Sequence, residues 1–287
     1  MKKKSFISLF FCIVVAIIAI IGLKREVVVA SSKIQNLKEK KTYKIDLDKD
    51  GTKDSIYFKL VNGKTYEEDY LVSLKVKING KTKTLKNDLY DVYEANLQVT
   101  DIDTTDGYMD IWIYTLGGSD DIYYSALYQY RNGKLKCLYE VDYEEENEDK
   151  IVCGVLHEAK GNGTFYIKAD RKFFVDTLIG NHYDLIPMKL KNGKATIKKT
   201  DTYSIAGIYN ENNQLTVAVE TDFYKTAGSS KIGFTAKRFD KVKPVSIYRS
   251  GEKLYVKFKN EKGKVGWLCA SEFEFDEAPF LDCIWVG

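Results

Sequence analysis

Over much of the chain, hydrophobic side chains fall at every second position. Val72, Leu74, Val76 and Ile78 alternate with Ser73, Lys75 and Lys77, the period of a strand with one buried face. Runs of this kind flank the pairs Asn79-Gly80, Asn132-Gly133 and Asn192-Gly193, and a further pair stands at Asn62-Gly63, each followed by lysine. Asn-Gly readily adopts the positive φ angles of a type I′ turn, so YLVSLKVKI with KTKTL, IYYSALYQY with KLKCLYEV, and YDLIPMKL with KATIKK read as hairpins. Further strands are expected near 42–46, 55–60, 97–101, 109–115, 151–156 and 164–169, which makes roughly three sets of four antiparallel strands between 42 and 200. From about 214 the pattern shifts to five short strands with polar turns. With 13% aromatic residues, 21 of them Tyr, and only three Pro, the chain reads as all-β, since aromatic side chains favour the pleated surface.

One segment has no such alternation. Residues 5–23 run for nineteen positions without a charge, long enough as a helix to cross a hydrocarbon core of about 30 Å. Lys2, Lys3 and Lys4 precede it, and Lys24, Arg25 and Glu26 follow. The positive-inside bias then puts the N-terminus in the cytoplasm and the remaining chain outside, as a single-pass membrane protein anchored by residues 1–26. The alternative is secretion after cleavage of a signal peptide at Val28-Val29-Ala30, before Ser31-Ser32. Cys12 lacks the small residues of a lipoprotein site in front of it and reads as membrane-embedded. Residues 27–41 read as a polar linker.

The charge balance narrows the partners. Residues 1–26 hold five basic groups and Glu26, which leaves 39 basic against 40 acidic side chains in the remainder. A near-neutral body gives no reason to expect nucleic acid. The run EVDYEEENED at 140–149 reads as a surface loop.

The most specific chemistry lies at Asp46-Leu47-Asp48-Lys49-Asp50-Gly51-Thr52-Lys53-Asp54. Carboxylates at alternate positions converge on one ion when the chain curls round them, and Gly51 permits the sharp turn. The Thr52 carbonyl and the Asp54 carboxylate add oxygens, and an all-oxygen set without histidine or thiolate selects Ca²⁺ over zinc or copper. Asp101, Asp103, Asp106 and Asp110 form a second such loop, with one extra residue before Gly107 that puts Asp106 out of register. The other reading is that these aspartates form turns through bonds to nearby backbone. A third loop at the equivalent place, HEAKGNGT at 157–164, lacks the carboxylates.

These strand-flanked D-x-D-x-D-G-x-x-D loops resemble the calcium-loop blades of integrin-type FG-GAP/VCBS β-propeller repeats, over roughly 42–203. The resemblance implies four-stranded blades, calcium between outer strands, and adhesion or scaffold roles. Only about three blades fit at this spacing, whereas closed propellers use four to eight. Residues 212–287 resemble a bacterial SH3-like module, which implies a small barrel, through Thr221-Asp222-Phe223-Tyr224, the Ser-rich loop 228–230, the stretch Lys237–Val242, and Gly263-Lys264-Val265-Gly266-Trp267-Leu268, with a C-terminal extension at 273–287 expected to add a strand packed on that barrel. Asp240 stands where that family has glycine, and Tyr224-Lys225-Thr226-Ala227 stands in place of its Arg-Ser-Gly-Pro.

Phe223, Tyr224, Tyr248, Tyr255 and Trp267 are candidates to line a groove for glycan or peptide, or else to make core. Cys137 with Cys153, and Cys269 with Cys283, are candidate disulfides of an exported protein; the alternative is four buried thiols. None has CxxC spacing, and His157 and His182 complete no zinc signature. No nucleophile motif or phosphate loop is present. Two functions remain: a membrane-anchored, calcium-binding scaffold or binding protein of the cell envelope, with glycan, peptide or another envelope protein as partner, and an envelope hydrolase using a carboxylate pair such as Glu220 and Asp222.

Overall fold

The computed structural model describes residues 31–62, 71–118, 121–142, 153–170, 175–210, 212–274 and 277–284. The apolar segment 5–23, the turn expected at Asn62-Gly63 from Gly63 onward and most of the acidic run at 140–149 lie outside the described residues. No helix among the described residues is long and apolar enough to cross a membrane. Residues 31–287 form one compact unit.

The chain is all-β and antiparallel. Its strands are β1 (Gln35–Lys38), β2 (Tyr43–Ile45), β3 (Asp54–Asn62), β4 (Leu71–Ile78), β5 (Lys81–Tyr90), β6 (Val92–Thr100), β7 (Asp110–Gly117), β8 (Ile122–Arg131), β9 (Lys134–Asp142), β10 (Val155–Ala159) and β11 (Thr164–Asp170). A single helical turn, α1 (Asp176–Ile179), precedes β12 (His182–Lys191), β13 (Lys194–Ile197) and β14 (Thr202–Ile208). Six more follow: β15 (Leu215–Thr216), β16 (Thr221–Tyr224), β17 (Ile232–Ala236), β18 (Lys241–Ser250), β19 (Lys253–Asn260) and β20 (Val265–Cys269).

The three Asn-Gly hairpins form as expected, as β4–β5, β8–β9 and β12–β13. Asn79, Asn132 and Asn192 have φ of 49, 50 and 53°, and the following glycines 82, 74 and 69°, the left-handed pair of a type I′ turn. The first sheet is β2-β3-β4-β5, the second β1-β6-β7-β8-β9, and the third begins β10-β11-β12 with β13 beside β12. Residues 35–38, read from sequence as linker, therefore form an edge strand. Leu37 pairs with Leu97 and is buried, which fixes that strand in place.

Successive sheets share faces. In β7, Ile111 and Ile113 join one cluster with Phe58, Leu74 and Val76 of the first sheet, while Trp112 between them joins Phe165, Ile167 and Met188 of the third. Parity along one strand thus divides two cores, and the second sheet is buried on both faces. Trp112 stacks on Tyr139 at 5.8 Å and its Nε1–H donates to the Gly154 carbonyl at 3.0 Å. Gln98 behaves like a strand residue in side-chain form, donating to the Leu156 carbonyl and accepting the Leu156 N–H.

The expected separate small barrel is replaced by a continuation of the third sheet. Its order runs β12-β14-β18-β19-β20-β16-β17, and no sheet among the described residues closes on itself. The reason is the ten-residue length of β18: Val242 and Lys241 pair with β15, while Ser246–Tyr248 pair with β14. The edge that closure would need is taken, and hydrogen-bonded strands cross the expected 203–212 boundary. At the C-terminus the expected added strand is one bridge, Val217 to Phe280, followed by a strap. Asp282 accepts the Thr216 N–H and hydroxyl at 2.7 and 2.6 Å, and Ile284 accepts the Asn181 N–H just after α1.

Candidate metal centre

The first connection of each sheet, β2–β3, β6–β7 and β10–β11, lies at the same end as the Asn-Gly turns. Each opens with a buried anchor where an anchor exists: Leu47 and Ile102 are fully buried and separate the paired aspartates of their loops. In the first two loops the carboxylate that starts the next strand closes the loop. Asp54 accepts the Leu47 N–H at 2.9 Å, and Asp110 accepts the Ile102 N–H at 2.7 Å. The other oxygen of Asp54 accepts from the Asn79 amide, and that of Asp110 from Gln129. The loops also zip together: Met109 N–H donates to the Leu47 carbonyl, and Gly163 N–H, one sheet further on, to the Ile102 carbonyl. The third loop, without carboxylates, is held by these backbone bonds and by Thr104 N–H to the Gly161 carbonyl.

In the first loop Asp46, Asp48 and Asp50 converge, with one carboxylate oxygen from each within 4.8 Å of the others. Oxygens bound to one Ca²⁺ at 2.3–2.6 Å lie at most about 5 Å apart, so the trio is compatible with a single ion. Asp46 accepts the N–H groups of Asp50 and Gly51, and Asp50 accepts the Thr52 N–H at 2.6 Å. These bonds curl the chain and leave lone pairs on both carboxylates. Oδ1 of Asp48 is buried with no hydrogen-bond partner among the described residues. Loss of solvent, then the charges of Asp50 and Asp54, push the Asp48 carboxyl above its ordinary range. A buried carboxylate oxygen without a donor, facing two further carboxylates, fits a hard cation. Asp54 differs from the expectation: it sits inward at the loop base with both oxygens engaged by the chain, while Thr52 contributes its N–H to the turn.

The second loop brings no such trio together among the described residues. Its charges meet protein cations. Lys49, from the first loop, pairs with Asp101 at 2.6 Å, and Arg131 approaches Asp106 at 3.6 Å while stacking over Tyr108. Asp103 accepts the Thr105 N–H and hydroxyl, in an ordinary turn. Burial pushes the Asp110 carboxyl up to about 7, against the pull of the Ile102 N–H. Nothing in the sequence singled out Lys49, Gln129 and Arg131, and Asn79 stood out only as a turn former; each is polar and next to a loop or turn.

Away from the loops, the five aromatics divide. Phe223 is core, stacked on Phe234 at 4.5 Å and edge-on to Phe258. Tyr224, Tyr255 and Trp267 line a surface pocket of about 360 Å³ with Lys253 and Glu272, and Tyr248 packs behind them, 6.1 Å from Trp267. Neither candidate disulfide is formed: Cys137, Cys153, Cys269 and Cys283 are free thiols, Cys153 and Cys269 buried and Cys137 exposed. Cys153 faces the Val141 carbonyl, and Cys283 is turned to the Leu178 carbonyl by the C-terminal strap, where burial pushes its thiol up to about 12. No protein-family model matches the chain, and neither a curated protein nor a solved structure shows significant similarity to it.

Proposed function

We propose that the chain is a membrane-anchored extracellular scaffold whose first loop binds Ca²⁺ through Asp46, Asp48 and Asp50. The observation that carries this is the convergence of those three carboxylates on a space where, among the described residues, the buried Asp48 oxygen has no donor. The second loop differs in its charge: Lys49 and Arg131 approach Asp101 and Asp106, and no converging trio forms there among the described residues, while Oδ1 of Asp101 is buried without a partner as in Asp48. The FG-GAP/VCBS-like reading is supported by three successive antiparallel sets with matching loops and Asn-Gly turns. The anchor reading rests on residues 5–23 and their flanking charges.

The SH3-like reading of 212–287 rests on its sequence likeness, and the pocket of Tyr224, Tyr255 and Trp267 is the surface we assign to a glycan or peptide of the envelope. The hydrolase alternative draws little from its carboxylates: Asp222 accepts the Thr235 hydroxyl at 2.5 Å, and Glu220 is exposed two residues away on the same strand entry.

Calorimetric titration of the full chain in neutral detergent tests the proposal. One saturable Ca²⁺ event is expected, lost in Asp50→Asn and retained in Asp103→Asn. Absence of saturable heat in the wild type, or equal binding by Asp50→Asn, contradicts it.

A further inference from the structure

Each of the three described Asn-Gly turns is followed by a lysine that opens the last strand of its set: Lys81 in β5, Lys134 in β9 and Lys194 in β13. All three are exposed, as are Lys83 and Lys136 two positions on. The lysines form one row across the stacked sheets. Lys83 Nζ donates to the Leu135 carbonyl at 3.3 Å, crossing from the first sheet to the second. Lys136 Nζ lies over Gly193, 2.7 Å from where a Cβ would stand, crossing from the second to the third. Between the first two sheets the row sinks into a groove of about 310 Å³, with Val76, Ile78 and Leu135 as apolar floor and Lys81, Lys83 and Lys134 as rim. No carboxylate among the described residues lines that groove. Among the described residues none of Lys81, Lys134, Lys136 and Lys194 has an acidic partner, in a body with as many acidic as basic side chains.

We propose that this row binds a linear polyanion whose charges are phosphates. Stacked sheets lie about 10 Å apart, so the ammonium groups recur at an interval that a chain of regularly spaced charges can follow. Lysines are point charges and need no fork geometry, which suits phosphate. The one nearby guanidinium, Arg131, is turned to Gln129 and Asp106 instead. Nucleic acid is disfavoured because base stacking needs exposed rings, and Tyr130, the aromatic of the groove, is only 7% exposed. Lysine on an edge strand also repels other strands, but that role asks neither for a shared groove nor for the exclusion of carboxylates from it. The inference is independent of the metal reading.

The test is binding of inorganic polyphosphate to the full chain in neutral detergent, with orthophosphate and single-stranded DNA of equal charge alongside. Polyphosphate is expected to bind far more tightly than either. Lys81→Gln with Lys134→Gln should lose about tenfold or more in affinity and flatten the log–log salt slope by about 1.4, two contacts at roughly 0.7 each. Lys81→Arg with Lys134→Arg should keep binding, and Lys243→Gln with Lys259→Gln, exposed elsewhere, should leave it unchanged. The Gln pair should keep its Ca²⁺ titration, which separates this inference from the metal site and reports an intact fold. Unchanged polyphosphate binding in the Gln pair, orthophosphate binding as tightly, or tighter binding of DNA would each overturn the proposal.

Discussion

Asp54 and Asp48 stand in one loop under different forces. Asp54 accepts the Leu47 N–H and the Asn79 amide, so Asp54→Ala leaves two donors without acceptors and should cost about 1–3 kcal/mol whether or not calcium is present. Urea denaturation in calcium and in chelator checks this; a cost seen only with calcium would contradict the closing role. The spacing D-x-D-x-D-G made the convergence of Asp46, Asp48 and Asp50 legible, because alternate positions and a glycine are local features. The inward setting of Asp54 was not drawn from that motif. It follows from strand parity: Asp54 shares a face with Ile56 and Phe58, both fully buried. Asp110 and Trp112 repeat the arrangement in β7. A residue that begins a strand on its buried face closes the loop, whatever motif it completes.

Elements whose partners are close in sequence were readable, and those with distant partners were not. The hairpins β4–β5, β8–β9 and β12–β13 were set by a two-residue turn and the alternation on either side. β1 pairs with β6 about sixty residues away, and its only apolar signal is Leu37 among Gln, Asn and Lys. β14 runs into the expected 203–212 boundary and is held between β12 and β18. Leu37→Ala should therefore destabilise the chain by about 2–5 kcal/mol, the range for a buried leucine. An effect below about 0.5 kcal/mol, the range of ordinary surface changes, would show that β1 is a dispensable flap.

At the scale of the molecule, the continuous third sheet makes the C-terminal part dependent on what precedes it. One cluster contains Phe165, Ile186 and Leu178 together with Ile247, Phe258 and Phe280, and the strap at 280–284 returns to α1. An isolated 212–287 fragment loses β14 from the edge of β18 and exposes that shared face, so it should give poorly dispersed amide signals and no cooperative melt. A well-dispersed, cooperatively melting fragment would restore the separate module expected from sequence. The Ca²⁺ proposed for the first loop would complete the fold there. A ligand that binds only the folded state adds RT ln(1 + [L]/Kd), about 2.7 kcal/mol at a hundredfold excess. The direct measurement is thermal unfolding of the full chain in calcium and in chelator, for wild type and Asp48→Ala. The wild type should melt lower in chelator. Asp48→Ala should show little difference between the two conditions and, relieved of carboxylate repulsion, should be no less stable than wild type in chelator. Identical wild-type melts in calcium and chelator would contradict the account and leave Asp46, Asp48 and Asp50 as formers of a turn.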